Sequence, residues 1–224
     1  MPGEVSLAHR GVLFLDEFAE FPRQTLEVLR QPLEDGHVGV SRAAAAHDYP
    51  SRFILVAAMN PCPCGYCGDQ THECRCTQAQ IQKYQSRVSG PLLDRIDIHV
   101  GVSAVPMNDL LQYPKGVSSE ELRRGVMMAR NIQKERYRDM PGVHTNAEAK
   151  SRDLADICKF DTKTQDYIRR MIEQLQLSAR AYDRVLRVSR TIADLEGADT
   201  VTFKHVSEAM GYRQLDDDGQ RFWI

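Results

Sequence analysis

The stretch GVLFLDE at residues 11–17 limits the possible folds more than any other part of the sequence. Four apolar residues are too few for an amphipathic helix, and they run directly into two carboxylates, Asp16 and Glu17. This pattern predicts a buried parallel strand whose end presents acidic groups at the edge where open α/β sheets bind ligands. In a nucleotide hydrolase, the first carboxylate holds magnesium and the second activates the attacking water. Taken alone, the pattern also fits a strand that ends at a solvated turn.

Composition and charge exclude several classes of protein. The 224 residues can bury one sizeable core or two modest ones, and the 42% hydrophobic and 27% charged content is ordinary for a globular protein. A net charge of −2 gives no general attraction to nucleic acid, so such contacts would need a local basic surface. The sequence has no apolar run of membrane-spanning length, and its first residues lack the parts of a signal peptide. We therefore expect a cytoplasmic protein.

The first half of the chain alternates strands and helices. A helix is predicted at residues 22–34 and a β-hairpin arm at 37–52, with a tip of small residues at 43–50. The hairpin leads into a second apolar strand at 52–59, which ends at Asn60. Asn60 is therefore expected at the same sheet edge as the two carboxylates. A third strand is predicted at 96–102.

The second half of the chain is predicted to be helical. Ser118 or Ser119 can cap the first helix, and later helices are expected at 151–158, 163–176, 178–196 and 203–212. This order predicts an α/β part followed by an all-α part. The predicted boundaries are 1–105 for the α/β domain, 106–118 for a linker, 119–213 for the helical domain and 214–224 for a tail.

Five of the six cysteines lie between residues 62 and 76, and such crowding in a reducing compartment favours a metal site. Two C-x-C pairs can bring four thiolates together, which suits tetrahedral Zn²⁺ in a structural site. Cys67, which forms a C-x-x-C with Cys64, or His72 could replace one ligand. A flexible loop of reduced thiols is the alternative.

Five sequence blocks together resemble the magnesium-chelatase-like AAA+ ATPases, and within them the YifB/ComM branch. The blocks are GVLFLDEF, QPLEDGHVGVSR, FILVAAMNPCPCG, SGPLLDRIDIHV and LSARAYDRVLRVSRTIADLEG. The resemblance covers almost the whole chain. It implies part of an AAA+ P-loop core with a presensor hairpin, followed by a helical lid. It also favours one set of zinc ligands, namely Cys62, Cys64, Cys74 and Cys76.

The resemblance also implies roles for individual residues. Asp16 and Glu17 would form the Walker B pair, and Asn60 would be the sensor 1 residue. Arg95 would be an arginine finger that reaches the neighbouring subunit's nucleotide, and Arg180 would be the sensor 2 arginine that contacts the γ-phosphate.

Both arginines have ordinary alternatives. Arg95 could pair locally with Asp94 or Asp97. Arg180 begins an arginine-rich helix whose other arginines could form no more than a solvated face, and Arg184 competes with it for the sensor role. The other two arginines of that face are Arg187 and Arg190.

The resemblance implies a hexameric motor that uses ATP and Mg²⁺ and acts on DNA, in branch migration during recombination or natural transformation. Arg42, near the hairpin tip, would then contact DNA phosphates, or the hairpin would instead pack on a neighbouring subunit. Two other readings are a magnesium-chelatase motor subunit and a non-enzymatic interaction module. The cysteine loop disfavours the chelatase.

One departure from the family pattern is large. The phosphate-binding motif G-x-x-x-x-G-K-[ST] does not occur in the sequence, although the family carries it upstream of Walker B. We therefore expect this chain to be the C-terminal part of a longer protein, and to hydrolyse no ATP by itself.

Overall fold

The computed structural model describes residues 3–42, 45–69, 71–102, 105, 116–175 and 177–213. Contacts divide the described residues between Ile96 and Asp97 into an α/β unit and a helical unit. Most of the predicted linker, at 106–115, and the predicted tail at 214–224 lie outside the described residues. In the part of the chain that is described, no helix is both long enough and apolar enough to cross a membrane.

The α/β unit contains short helices, a parallel strand pair and an antiparallel hairpin. Its elements are α1 (Glu4–Leu7), β1 (Val12–Leu15), a 3-10 turn (Phe18–Glu20), α2 (Arg23–Val28), α3 (Arg30–Asp35), β2 (His37–Arg42), β3 (Ala45–Pro50), β4 (Ile54–Ala57), α4 (Gln78–Gln85) and α5 (Gly90–Leu93).

Strands β1 and β4 pair in parallel, with Val12 opposite Ile54 and Leu15 opposite Ala57. The predicted pairing of two apolar strands is therefore confirmed, although β4 is shorter than the predicted 52–59. The Ala58 N–H donates to the Leu15 carbonyl at 2.9 Å and so extends the ladder beyond β4. Both strands end at the same edge of the sheet.

Only one face of this sheet is covered by the described residues. Leu13 and Leu15 pack against a small core that includes Phe18, Leu26 and Leu92. The opposite face is exposed, and the exposed fractions are 58% for Val12, 59% for Phe14, 62% for Ile54 and 43% for Val56. The prediction of a fully buried strand is therefore wrong here, because the packed helices cover a single face.

The predicted third strand at 96–102 is irregular in the structure. Its apolar side chains are exposed, with exposed fractions of 50% for Ile98, 66% for Val100 and 90% for Val102. A strand needs a neighbour for its backbone groups, and no described strand lies beside this segment. The His99 N–H instead donates to the Tyr212 carbonyl at 2.9 Å.

Proline affects two helical segments of the α/β unit. The helix predicted at 22–34 is split at Leu29 into α2 and α3, because Pro32 has no N–H to donate to the Val28 carbonyl. The Ser89-Gly90-Pro91 sequence separates α4 from α5 and starts α5. The Ser89 hydroxyl accepts a hydrogen bond from the Leu92 N–H at 3.3 Å, and the first turn tolerates proline.

The hairpin arm is confirmed as β2 and β3, which pair antiparallel from His37 opposite Pro50 to Arg42 opposite Ala45. The prediction of a tip at 43–50 is wrong, because residues 45–50 form the second strand. Its base is fixed to α3 through Gly36, which has a left-handed backbone with φ 72°. The Gly36 carbonyl accepts from the Ser51 N–H at 2.9 Å. A Cβ at position 36 would lie only 2.8 Å from the Arg52 side chain, so glycine fits both the turn and the contact.

The helical unit confirms the predicted helices in the second half. They are α6 (Ser119–Arg136), α7 (Ser151–Cys158), α8 (Thr162–Leu175), α9 (Ala179–Leu195) and α10 (Phe203–Gly211). Helix α9 is central and is buried along much of its length. In α6, apolar side chains recur at helical spacing, but Leu122 and Val126 are 60% and 52% exposed. Ala129 is buried and Ile132 is half-buried, so only the second half of this stripe packs against the core.

A buried ionic network lies inside the helical unit. The fully buried Asp194 carboxylate accepts from Arg136 Nη1 at 2.7 Å, Asn146 Nδ2 at 2.8 Å and Arg190 Nε at 3.1 Å. Arg190 is also fully buried, and it donates to the Asp199 carbonyl at 2.9 Å. These bonds give the buried charges the partners that burial requires.

Candidate functional site

The acidic pair lies immediately after β1, and both carboxylate side chains are exposed. The Asp16 Oδ1 accepts a hydrogen bond from the Glu17 N–H at 2.9 Å. Glu17 has a left-handed backbone, φ 50° and ψ 42°, which is uncommon for a residue with a Cβ. The Phe18 N–H donates to the Ala58 carbonyl at 2.8 Å, and Phe18 is buried. These contacts fix the backbone on both sides of Glu17.

Asn60 follows the neighbouring strand and is exposed. Because β1 and β4 are parallel and adjacent, Asp16, Glu17 and Asn60 all follow strand ends at one edge of the sheet. The Asn60 backbone N–H donates a hydrogen bond to the buried Tyr84 hydroxyl oxygen, which favours a lower pKa, but burial is the larger effect and raises the pKa of Tyr84. The structure thus brings together the three residues that sequence reasoning assigned to this edge.

Arg95 lies in the turn after α5, and its side chain is only 10% exposed. Its Nε donates to the Glu34 Oε2 at 3.0 Å, its Nη2 contacts the same oxygen, and its Nη1 donates to the Pro91 carbonyl at 2.6 Å. The sequence suggested Asp94 or Asp97 as local partners of Arg95, whereas the structure pairs Arg95 with a carboxylate 61 positions away. Glu34 is the site neighbour that sequence reasoning missed.

Arg180 is in the first turn of α9, where the Ser178 hydroxyl caps the helix by accepting from the Ala181 N–H at 3.1 Å. Its side chain is exposed. It belongs to the helical unit, whereas Asp16, Glu17 and Arg95 belong to the α/β unit.

The structure contradicts the alternative that the other arginines of α9 form only a solvated face. Arg184 Nη1 pairs with Asp97 Oδ1 at 2.5 Å, and its side chain is 17% exposed. Arg187 Nη2 donates to the Ala149 carbonyl at 3.0 Å, and Arg190 is fully buried. Of these four arginines, Arg180 is the exposed one.

Four cysteine sulfurs form a compact group, with all ligand atoms within 4.8 Å of one another. The Sγ–Sγ distances are 3.4 Å for Cys62–Cys64, 3.7 Å for Cys62–Cys74 and 3.6 Å for Cys64–Cys74, with Cys76 as the fourth member. A disulfide would need about 2.05 Å. Tetrahedral zinc with bonds of about 2.3 Å places its sulfurs about 3.8 Å apart, so the spacing fits a four-sulfur zinc site.

The cysteines of this loop differ in how readily they form the thiolate. The backbone N–H groups of Tyr66 and Arg75 donate to the Cys64 sulfur and lower its pKa to about 6, which favours the thiolate that a metal needs. Burial and the neighbouring cysteines have the opposite effect on two other members of the group, and they raise the pKa of Cys74 and Cys76. Among the described residues, Cys67 and His72 stand outside the group of four. Burial raises the pKa of Cys67, and the His72 ring stacks on Tyr66 at 4.9 Å.

The side chain of Arg42 lies outside the described residues; its backbone pairs with Ala45 at the end of the hairpin.

Two family models match this chain in succession. "Magnesium chelatase, subunit ChlI" matches residues 1–110, and the ChlI C-terminal model matches residues 116–213. The chain belongs to the magnesium-chelatase family. The membership confirms the resemblance carried by the sequence blocks, and the assignment of the α/β and helical parts to an AAA+ fold rests on it.

Individual relatives agree with the YifB/ComM branch of the magnesium-chelatase family. The chain is 45% identical to the competence protein ComM of Haemophilus influenzae and 42% identical to the uncharacterized protein YifB of Escherichia coli. Each match covers 96% of this chain and 41% of the relative, so the chain spans less than half the length of these relatives. The magnesium-chelatase subunit ChlI of Chlorella vulgaris is 25% identical over 90% of this chain and 49% of the relative.

Proposed function

We propose that this chain is the Walker B, sensor and lid part of a cytoplasmic AAA+ ATPase, a hexameric motor that acts on DNA. The observation that carries the proposal is the convergence of Asp16, Glu17 and Asn60 at one edge of a parallel strand pair, in a member of the magnesium-chelatase family. In this proposal, residues 1–105 belong to the α/β core and residues 119–213 form the lid.

Each site residue has a task that its chemistry permits. Asp16 would hold magnesium, which neutralises phosphate charge when ATP is bound. Glu17 would orient and deprotonate the attacking water, and Asn60 would hydrogen-bond that water or the γ-phosphate. Arg95 would stabilise transition-state charge on a neighbouring subunit's nucleotide. The exposed Arg180 would contact the γ-phosphate from the lid of its own subunit.

The DNA part of the proposal is supported by the hairpin arm and by the relative named as a competence protein. Arg42 would meet DNA phosphates from the arm, where a cation contributes through counterion release. A magnesium-chelatase motor is the second candidate, favoured by the match to ChlI. A third candidate is an interaction module that catalyses no reaction, and it is favoured by the lack of the phosphate-binding motif in this sequence.

We also propose that Cys62, Cys64, Cys74 and Cys76 hold a structural Zn²⁺. The loop between β4 and α4 has little apolar content, so a metal would supply the cross-link that packing cannot. The sulfur spacing supports this assignment, as does the complete burial of Cys62.

The ATPase proposal is tested with the protein expressed from its complete native reading frame. Glu17→Gln is expected to lower kcat for ATP hydrolysis by about 100-fold or more, since it removes the base but keeps the shape. Glu4→Gln, a substitution of an exposed carboxylate in the same unit, is the control and should leave kcat unchanged. The 224-residue chain alone is expected to show no turnover. Turnover by that chain, abolished by Glu17→Gln, would contradict this expectation.

The substrate is tested by comparing forked DNA with a porphyrin in the same full-length protein. Arg42→Ala should abolish stimulation of the ATPase by DNA while leaving the basal rate intact. Unchanged stimulation would exclude Arg42 as a DNA contact, and porphyrin metalation without DNA remodelling would favour the chelatase.

The metal proposal is tested by elemental analysis of protein purified without a histidine tag. One zinc per chain is expected, and Cys62→Ser should lose it. A sample that contains far less than one equivalent, even after refolding with added zinc, would contradict the proposal.

A further inference from the structure

Glu34 lies close to the end of α3, two residues before Gly36 and three before the hairpin arm. Its carboxylate is the partner of Arg95, and one oxygen of Glu34 accepts from both Nε and Nη2 of the guanidinium. The pair joins two segments that are 61 residues apart in sequence. Arg95 is 10% exposed and Glu34 is 46% exposed, so the arginine is the enclosed member of the pair.

The contact restricts the guanidinium more than an ordinary surface ion pair would. Arg95 is also bound through Nη1 to the Pro91 carbonyl at 2.6 Å, one helical turn back along its own segment. A planar guanidinium bound along its Nε–Nη2 edge and through Nη1 has little freedom to rotate. By contrast, the Glu135–Arg138 pair in the helical unit is exposed on both sides, at 62% and 66%, and such pairs constrain little.

The structural element that carries Glu34 is itself held in place. Helix α3 ends at Gly36, whose carbonyl accepts from the Ser51 N–H at 2.9 Å, while the Arg52 side chain packs over its Cα. The Arg52 N–H in turn donates to the His9 Nδ1 at 3.1 Å. The end of the helix that carries Glu34 is therefore fixed by contacts with Ser51 and Arg52, the residues that follow the hairpin.

We propose that Glu34 is a positioning residue that fixes the guanidinium of Arg95 for its task at a neighbouring subunit's nucleotide. This inference rests on the proposed role of Arg95 as an arginine finger. A finger loses much of its effect if it is misplaced, and a misplacement of about 1 Å can cost about 100-fold in rate. Glu34 would supply the alignment without contacting the nucleotide.

The test is a double-mutant cycle in the protein expressed from its complete native reading frame, with single-turnover ATP hydrolysis as the measurement. Glu34→Ala is expected to lower the rate by about 10- to 100-fold with little change in the affinity for ATP. Glu34→Gln, which keeps an acceptor oxygen, should lose less. In the Arg95→Ala background, Glu34→Ala should have no further effect, because a residue that acts only through Arg95 is silent without it.

Glu135→Ala is the matched control, since it removes an exposed arginine partner and should leave the rate unchanged. If Glu34→Ala lowered the rate equally with and without Arg95, its role would be general and the inference would be wrong. If Arg95→Ala reduced the rate but neither substitution of Glu34 did, the positioning role alone would fail. If Arg95→Ala had no effect, the proposed role of Arg95 would itself be refuted, and the positioning role with it.

Discussion

The two units of this chain bury their apolar residues to very different extents. The helical unit packs α9 within a core that also encloses a charged network around Asp194. The α/β unit has a smaller core and leaves one face of its parallel strand pair open, with Phe14 59% exposed. The helical unit thus buries most of its apolar side chains within itself. The proposed catalytic edge instead belongs to a sheet of which only one face is covered by described residues.

The largest expected effect comes from breaking the network that the helical unit encloses. Asp194→Ala would leave the fully buried Arg190 without its carboxylate and should lower the free energy of unfolding by about 3–5 kcal/mol. Urea titration followed by circular dichroism measures this loss. Asp139→Ala, a substitution of an exposed carboxylate in the same unit, serves as the control. A loss below about 1 kcal/mol would mean that the network is not a main support of this unit.

Acid should weaken the same network. Burial by itself raises the pKa of Asp194, but the hydrogen bonds from Arg136 and Asn146 and the charge of Arg190 bring the pKa below its usual value. The carboxylate therefore stabilises the folded state above the ordinary aspartate pKa of about 4, and this contribution is lost as pH falls below that value. Urea titrations at pH 7 and pH 3 should show a smaller difference for Asp194→Asn than for the unsubstituted chain. An equal difference would assign the acid sensitivity to other carboxylates.

The smallest effect is expected on the open face of the sheet. Phe14→Thr replaces an exposed aromatic with a strand-forming residue and should change the free energy of unfolding by no more than about 0.5 kcal/mol. Leu92→Ala, in the buried core of the same unit, should cost about 2–5 kcal/mol. A comparable loss from both substitutions would show that Phe14 is covered in solution, and the contrast between the two units would then disappear.

The parts of the fold that sequence predicted well depend on local signals. Helices α7 and α9 were predicted within one residue at each end. In α9, apolar residues recur at helical spacing, and Ser178 caps the start of the helix, so both signals can be read from neighbouring residues. The segment at 96–102 has an equally clear apolar pattern, yet it forms no strand. A strand depends on a neighbour that the pattern of its own residues cannot supply.

The parts that sequence missed are pairings between distant residues. Arg190 could be interpreted as one member of a solvated arginine-rich face, because its i,i+4 spacing from Asp194 is also typical of exposed ion pairs, although both side chains are fully buried. Arg136 joins that network from 58 positions away. Glu34 likewise carried no signal that linked it to Arg95. Charge patterns reveal that a residue needs a partner, but only the folded chain shows which partner it has.

The left-handed backbone of Glu17 has a consequence for engineering. A residue with a Cβ in this conformation costs about 1 kcal/mol or more, and glycine or asparagine would adopt it more readily. A redesign that optimised stability alone would therefore replace Glu17, and would delete the carboxylate proposed to activate water. At this position resistance to unfolding and catalytic competence favour different amino acids, so thermal stability is a poor guide to a functional variant.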